Sequence, residues 1–278
     1  MTITHTYGLI GYPISHSLSP LMHNAAFKAL GIDAEYKLFP LKEDEIENFL
    51  KSLKANNIHG INVTVPYKEK VIPFLDKISR QARLIGAVNT IKLTPDGLEG
   101  FNTDGSGFLM HLEDFEFDAA GKSIAILGAG GASRAIGVYL ARAKPKKLSI
   151  FDVDKVKLNA LVNHLKASFK DVKIIPAGSI EELKIKNCSL LVNATPIGMK
   201  ENDPCLIDAK LLHKHMLVYD LIYNPAETKL LKLARKKGAR TSNGLGMLLH
   251  QGMLAFEIWT GKEAPAEIMK DALLGGLK

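Results

Sequence analysis

The feature that most constrains this chain is a short apolar run that breaks into glycines and then into a helical pattern. Ser123–Leu127 reads as a buried strand, Gly128-Ala129-Gly130-Gly131-Ala132-Ser133 follows at once, and an amphipathic stretch spans 134–143. Glycines let the backbone turn tightly and let a pyrophosphate approach the amides at a helix N-terminus. The alternation continues with a strand-like run at 148–151 and with Val156, Leu158, Leu161, Val162 and Leu165 at helical spacing. Apolar runs at 190–192 and 217–221 and a Lys/Arg-rich helix candidate at 228–237 complete it. This pattern predicts an α/β fold with a doubly wound parallel sheet, a dinucleotide-binding domain over 105–240.

The loop departs from the standard fingerprint at Ser133, where glycine or alanine is expected. Asp152 stands 24 residues after Gly128, near the roughly 20-residue spacing of a ribose-binding carboxylate. A carboxylate there accepts hydrogen bonds from a free 2′-hydroxyl and repels a 2′-phosphate. Val153 follows it, in place of an arginine that would clamp that phosphate. These residues predict NAD in preference to NADP, although Lys155 and Lys157 lie close. A helix cap or a solvated turn is the alternative use of Asp152.

The first hundred residues alternate with different content. Ser19 reads as a helix N-cap with Pro20 at the first helical position, and Gly31 as the helix stop. Ile46, Phe49, Leu50 and Leu53 are spaced for a second helix, while Ile61, Val63 and Val65 alternate with Asn62 and Thr64 as a two-faced strand. Two further helix candidates, 246–259 and 266–274, follow Thr241. Residues 1–104, completed by 241–278, are therefore expected to form a second α/β domain, with a boundary near 102–107. Four polar segments in this part suit a polyhydroxylated acid: Ser15-His16-Ser17, the 62–68 stretch ending in Lys68, Ala87-Val88-Asn89-Thr90, and Asn102-Thr103-Asp104-Gly105. Singly, each has a structural explanation; Asp104 before Gly105 suits a helix cap and Asn89 a turn.

Charge removes the nucleic-acid reading that a net +7 invites. Residues 1–104 carry 11 basic and 11 acidic groups, 105–240 carry 22 and 14, and 241–278 carry 3 and 4. The surplus is confined to the expected dinucleotide domain, and aromatics at 7% offer no stacking platform. Lys144-Pro145-Lys146-Lys147 and Arg235-Lys236-Lys237 read as solvated loops and helix ends. No apolar run reaches the roughly 18–20 residues of a membrane span, and Met1-Thr2-Ile3-Thr4-His5 lacks the features of a signal peptide, so a cytoplasmic protein is expected. Cys188 and Cys205 cannot make a disulfide scaffold. The histidines are scattered, with His213 and His215 at i,i+2 and no cysteine beside them, so no metal site is expected. His16 and His23 read as loop support and packing.

The ordered motifs make the chain recognisable. It resembles the shikimate dehydrogenase family over nearly its full length, through Gly11-Tyr12-Pro13-Ile14-Ser15-His16-Ser17-Leu18-Ser19-Pro20, Asn62-Val63-Thr64-Val65-Pro66-Tyr67-Lys68, Gly86-Ala87-Val88-Asn89-Thr90 and Asn102-Thr103-Asp104-Gly105. The resemblance continues through the glycine loop, Asn193-Ala194-Thr195-Pro196-Ile197-Gly198-Met199, Asp220-Leu221-Ile222-Tyr223-Asn224-Pro225 and Gln251-Gly252. It implies two α/β domains, the second Rossmann-like, with an active site in the cleft between them. It also implies a small-molecule substrate, reversible nicotinamide-dependent reduction of 3-dehydroshikimate to shikimate, and a monomer or homodimer.

By that likeness Lys68 and Asp104 are the catalytic pair. Ser15 and Ser17 would bind the substrate carboxylate, and Thr64, Asn89, Tyr223 and Gln251 its hydroxyls and carboxylate. Gly128, Ala129, Gly130, Gly131, Ala132, Asp152, Ala194, Thr195, Pro196, Leu221 and Gly244 would border the cofactor, with Met247 near the nicotinamide. The chemistry fits the residue types: oxidising a secondary alcohol needs a proton acceptor, and reduction lets a protonated lysine donate to the carbonyl oxygen as charge develops. The turn Asp152-Val153-Asp154-Lys155 departs from the basic turn expected of NADP-using members and resembles NAD-preferring quinate/shikimate dehydrogenases. Ser17, where quinate-active relatives often carry threonine, favours shikimate. A non-catalytic NAD sensor is the rival of another class, and the intact Lys68 and Asp104 argue against it.

Overall fold

The computed structural model of the chain describes residues 5–277. Two compact units emerge: one takes the residues up to Gly107 with those from Leu248 onward, the other Phe108–Met247.

The first unit opens with β1 (His5–Gly11), α1 (Ser19–Ala29), β2 (Ala34–Pro40), α2 (Ile46–Ser52) and β3 (Ile58–Val63). It continues through β4 (Lys77–Ile78), α3 (Arg80–Ile85), β5 (Thr90–Thr94) and β6 (Gly97–Phe101). The sheet runs β2-β1-β3-β5-β6-β4. β1 lies parallel to β2 and β3, whereas β5 is antiparallel to β3 and β6, so the sheet is mixed. Ile10, Ile61, Val63, Val88 and Ile91 pack with Ile46, Leu50 and Leu53 of the α2 region into one apolar core.

Two local expectations are corrected. Ser19 is the first helical residue of α1 and not its cap; the Ser17 hydroxyl instead accepts from the Ser19 amide at 3.2 Å. Gly31, at φ +61°, ends the helix as expected, while Ile32 N–H closes on Phe27 O at 2.9 Å. Val65 does not extend the apolar face of β3. That strand ends at Val63 and Val65 is 63% exposed, because Pro66 follows it without an amide to continue the ladder.

The helix α4 (Asp104–Glu113) leads into the second unit, made of β7 (Ser123–Leu127), α5 (Gly131–Arg142), β8 (Lys147–Phe151), α6 (Lys155–Ser168) and β9 (Ile174–Ala177). Then come β10 (Leu190–Asn193), β11 (Leu217–Asp220), α7 (Lys229–Lys236) and β12 (Arg240–Ser242). All neighbours are parallel in the order β12-β11-β10-β7-β8-β9. Every residue of β10 and β11 is buried, as a strand covered on both faces requires. Asp154 caps α6 through the Val156 and Lys157 amides, and Thr228 caps α7 through the Leu231 amide. Strand order reverses between β7 and β10, the place where a doubly wound sheet binds its ligand.

α8 (Leu245–Thr260) and α9 (Ala266–Gly275) close the chain. Trp259 anchors α8 on the first sheet, its indole N–H donating to Ile91 O at 3.0 Å. The indole lies so close to Gly60 that a Cβ there would come within 2.4 Å of it.

Candidate active site

In the first unit a polar cluster forms at the carboxyl end of β3 and around the start of α4. Lys68 Nζ meets Asp104 Oδ2 at 2.6 Å, with side chains only 13% and 6% exposed. The other carboxylate oxygen accepts from Asn89 Nδ2 at 2.9 Å. Backbone bonds hold both partners in place. The Val88 amide donates to Lys68 O at 2.7 Å, and the Asp104 amide to Asn102 Oδ1 at 3.1 Å. Asn102 is itself fixed by donation to Ala87 O. The 87–90 and 102–104 segments therefore form one hydrogen-bonded unit around the ion pair.

Asn89 is the hub. Its Oδ1 accepts from the Thr103 amide at 2.8 Å and from Thr90 Oγ1 at 3.0 Å. Its Nδ2 also reaches Thr103 Oγ1 at 2.9 Å and Gln251 Oε1 at 3.4 Å. Behind it stands a second tier. Asn62 donates to Asn89 O and Thr90 Oγ1 at 3.1 Å each and accepts from Tyr36 Oη at 2.7 Å. Asn62 had a signal, a polar residue among aliphatics in a strand; Tyr36 had none.

Of the other candidates in this unit, Ser15 is exposed and Ser17 half-buried in the turn after β1, and Thr64 is half-buried beyond β3. Gly11 brings these segments together, since a Cβ there would lie 2.4 Å from Thr64 Cγ2 and 2.7 Å from Ile14 Cγ2. The structure thus joins Lys68, Asp104, Asn89 and Gln251 directly. Tyr223 belongs to the second unit, half-buried after β11, and burial raises its hydroxyl pKa.

The second unit carries the dinucleotide loop at the reversal of strand order. Gly128 has φ +100°, and a Cβ there would sit 2.9 Å from Ala194 O, so only glycine lets the two strand ends meet. The Ala194 amide donates to Leu127 O at 2.8 Å. Gly130 precedes α5 with open space where a Cβ would stand, and no side chain caps the helix. First-turn amides left uncapped beside bare backbone make a cradle that fits a pyrophosphate.

On the β10 side, Asn193 Oδ1 accepts from the Thr195 amide and hydroxyl at 3.1 and 2.7 Å. Its Nδ2 donates to buried Asp220, whose carboxyl pKa burial raises. The Leu221 amide donates to Asn193 O at 2.9 Å, and Gly244 packs on Leu221 O so tightly that a Cβ would come within 2.0 Å. Ala194, Thr195, Pro196, Leu221, Gly244 and buried Met247 thus belong to tightly joined turns of this unit. Among the described residues no group of three or more His, Cys, Asp or Glu could hold a metal ion, and no helix is long and apolar enough to cross a membrane.

The family model for the shikimate dehydrogenase substrate binding domain matches residues 9–91, and that for the shikimate 5′-dehydrogenase C-terminal domain matches 244–274. A shikimate dehydrogenase (NADP(+)) of Methanopyrus kandleri is 44% identical over 280 residues, covering 99% of this chain and 97% of the relative. One of Carboxydothermus hydrogenoformans is 44% identical over 273 residues, covering 97% and 96%. A crystal structure of a shikimate dehydrogenase in complex with NADP+ superposes with a TM-score of 0.92 at 41% identity, covering 99% of this chain and 96% of that one.

These relatives correct the expected preference for NAD, since they carry NADP(+) in their names. Asp152 also holds the glycine loop itself. Its Oδ2 accepts from the Ala129 amide at 2.6 Å and its Oδ1 from the Asp154 amide at 2.8 Å, so the carboxylate pins the glycine loop. Lys157 pairs with Asp154 at 3.5 Å, and Lys155 Nζ donates to Asp152 O and Gly178 O, so two positive charges stand beside the acids of this turn. Full-length identity above 40%, both ends matched by its family models, and a superposable fold leave one assignment: the chain belongs to the shikimate dehydrogenase family.

Proposed function

We propose that this protein catalyses the reversible reduction of 3-dehydroshikimate to shikimate with NADPH, a cytoplasmic step toward aromatic amino-acid precursors. The observation that carries the reading is the Lys68–Asp104 pair, enclosed and held by amide and hydroxyl groups. When bound, the nicotinamide supplies the hydride. Lys68 Nζ donates a proton to the substrate oxygen as negative charge develops there, and accepts it again in the oxidative direction. Asp104 holds the ammonium and offers its carboxylate to a substrate hydroxyl.

The remaining candidates bind and orient. Ser15 and Ser17 supply hydroxyls for the substrate carboxylate, while Thr64, Asn89, Tyr223 and Gln251 address its hydroxyls and carboxylate. The amides of 130–132 hold the pyrophosphate, while Gly128 and Ala129 shape the loop through bonds to Phe151 O and Asp152. Lys155 and Lys157 lend positive charge, and the Ala194–Pro196, Leu221, Gly244 and Met247 segments line the rest.

The test is a steady-state matrix of shikimate and quinate against NADP and NAD. Fastest turnover is expected with shikimate and NADP. Faster turnover with quinate would overturn the substrate, and dinucleotide binding without any turnover would mean a sensor.

A further inference from the structure

The second unit contains a part-buried pair that neither the proton transfer nor the phosphate cradle uses. Tyr219, fully buried on β11, meets His111 of α4 with Oη 2.5 Å from Nδ1. Phe108 packs edge-on against the Tyr219 ring at 4.9 Å, and Phe115 edge-on against His111 at 5.3 Å. Both polar rings press on the entry to α8. The His111 imidazole covers Gly246 so closely that a Cβ there would lie 2.1 Å from Nε2. Tyr219 Oη takes a hydrogen bond from the Met247 backbone amide.

That amide is one of the orphan donors of the first turn of α8. Asn243 Oδ1 satisfies the Leu245 amide at 3.1 Å, so Tyr219 completes the capping from the far side. Gly244 is meanwhile held against Leu221 O. The turn from 243 to 247 is therefore fixed at three points: Leu221 under Gly244, His111 over Gly246 and Tyr219 at Met247.

We propose that His111 and Tyr219 are positioning residues: their hydrogen-bonded pair fixes the turn that carries Met247, and through Met247 the reacting ring of the dinucleotide. The inference rests on the reading above that Met247 borders the nicotinamide. A phenylalanine at 111 keeps the aromatic packing while breaking the bond to Tyr219, and one at 219 also removes the oxygen that the Met247 amide and Ser242 meet. A misplaced ring slows hydride transfer steeply, since displacements of about 1 Å cost up to roughly 100-fold.

The experiment compares wild type, Tyr219→Phe, His111→Phe, the double variant and His111→Asn, whose amide oxygen can stand in for Nδ1. Near-native melting temperatures are expected, with kcat for shikimate oxidation about tenfold lower and KM for shikimate unchanged. The double variant is expected to be no worse than either single, and His111→Asn to recover part of kcat. Unchanged kcat in Tyr219→Phe, or additive losses in the double variant, would overturn the proposal. Nicotinamide fluorescence of bound NADPH separates this inference from the function it rests on. A wild type that binds NADPH without turning over shikimate refutes the function, while altered emission in Tyr219→Phe still supports the brace and identical emission refutes it.

Discussion

Lys68 and Asp104 lie 36 residues apart in the chain and 2.6 Å apart in space, on a short junction beyond β3 and at the first residue of α4. A salt bridge this enclosed is costly to desolvate and is therefore a weak source of stability. Lys68→Met and Asp104→Asn should each lower kcat by about 10²–10⁴ while leaving NADPH affinity near wild type, because neither residue belongs to the glycine-loop unit. Stopped turnover alongside an unchanged NADPH fluorescence titration is the expected pattern. Near-normal kcat in either variant would remove that residue from the proton path.

Asn89 supports the ion pair through its hydrogen bonds. Asn89→Ala strands the Thr103 amide and loosens one oxygen of Asp104. Leaving buried donors without partners costs about 1–3 kcal/mol, which corresponds to a drop of several degrees in melting temperature for a chain of this size. Turnover should fall more than stability alone explains when assayed well below the melting range. A variant that melts lower yet keeps full kcat would confine Asn89 to a structural role.

The glycine-loop unit was the more legible half of the fold. Its strands fall at β7, β8, β10 and β11 where apolar runs stand in the sequence, because parallel strands covered on both faces need such runs. The mixed sheet of the first unit was less legible. β4 and β6 carry little apolar pattern, and β5 is set by pairing with distant strands. The Lys68–Asp104 contact was anticipated only from family motifs, since no local periodicity links positions 36 residues apart. Tyr36 and His111 gave no signal for the same reason: their partners lie across the sheet or on another element. Asp152 carries a local role that its spacing did not announce: its carboxylate bonds the Ala129 and Asp154 amides.

Gly128→Ala tests the close approach of the β7 and β10 ends. A left-handed backbone costs an L-residue about 1–2 kcal/mol, and the new Cβ would press on Ala194 O at 2.9 Å. The variant should melt lower and show a higher KM for NADPH, with KM for shikimate little changed. Equal cofactor KM in the two proteins would mean that the loop adapts without cost.

Asp152→Ala distinguishes a loop pin from a ribose reader. Two hydrogen bonds from amides to a carboxylate are lost, each of a kind worth about 1.5–3 kcal/mol. Both NADP and NAD should bind about tenfold more weakly or worse, because the shape of the shared loop is what suffers. A residue that reads the ribose hydroxyl would instead weaken NAD alone and improve NADP. Paired KM measurements with the two dinucleotides decide between these outcomes.

His23 predicts an acid limb in stability. It is fully buried, its ring stacks on Tyr36 at 4.5 Å, and among the described residues neither ring nitrogen has a hydrogen-bond partner. Burial lowers its pKa from 6.5 to about 3. Below pH 6.5 the unfolded chain takes up a proton that the folded chain refuses. This contribution is therefore fully present above about pH 6.5 and is lost as pH falls toward 3, at about 1.4 kcal/mol per unit. Asp220, with its pKa raised by burial, works in the opposite direction, but it is common to wild type and variant and cancels in their difference. His23→Phe keeps an aromatic ring against Tyr36 and has nothing to titrate. Urea-unfolding midpoints between pH 6.5 and about 4 should fall more steeply for wild type than for His23→Phe, and parallel curves would show that the buried imidazole does not set the acid limb.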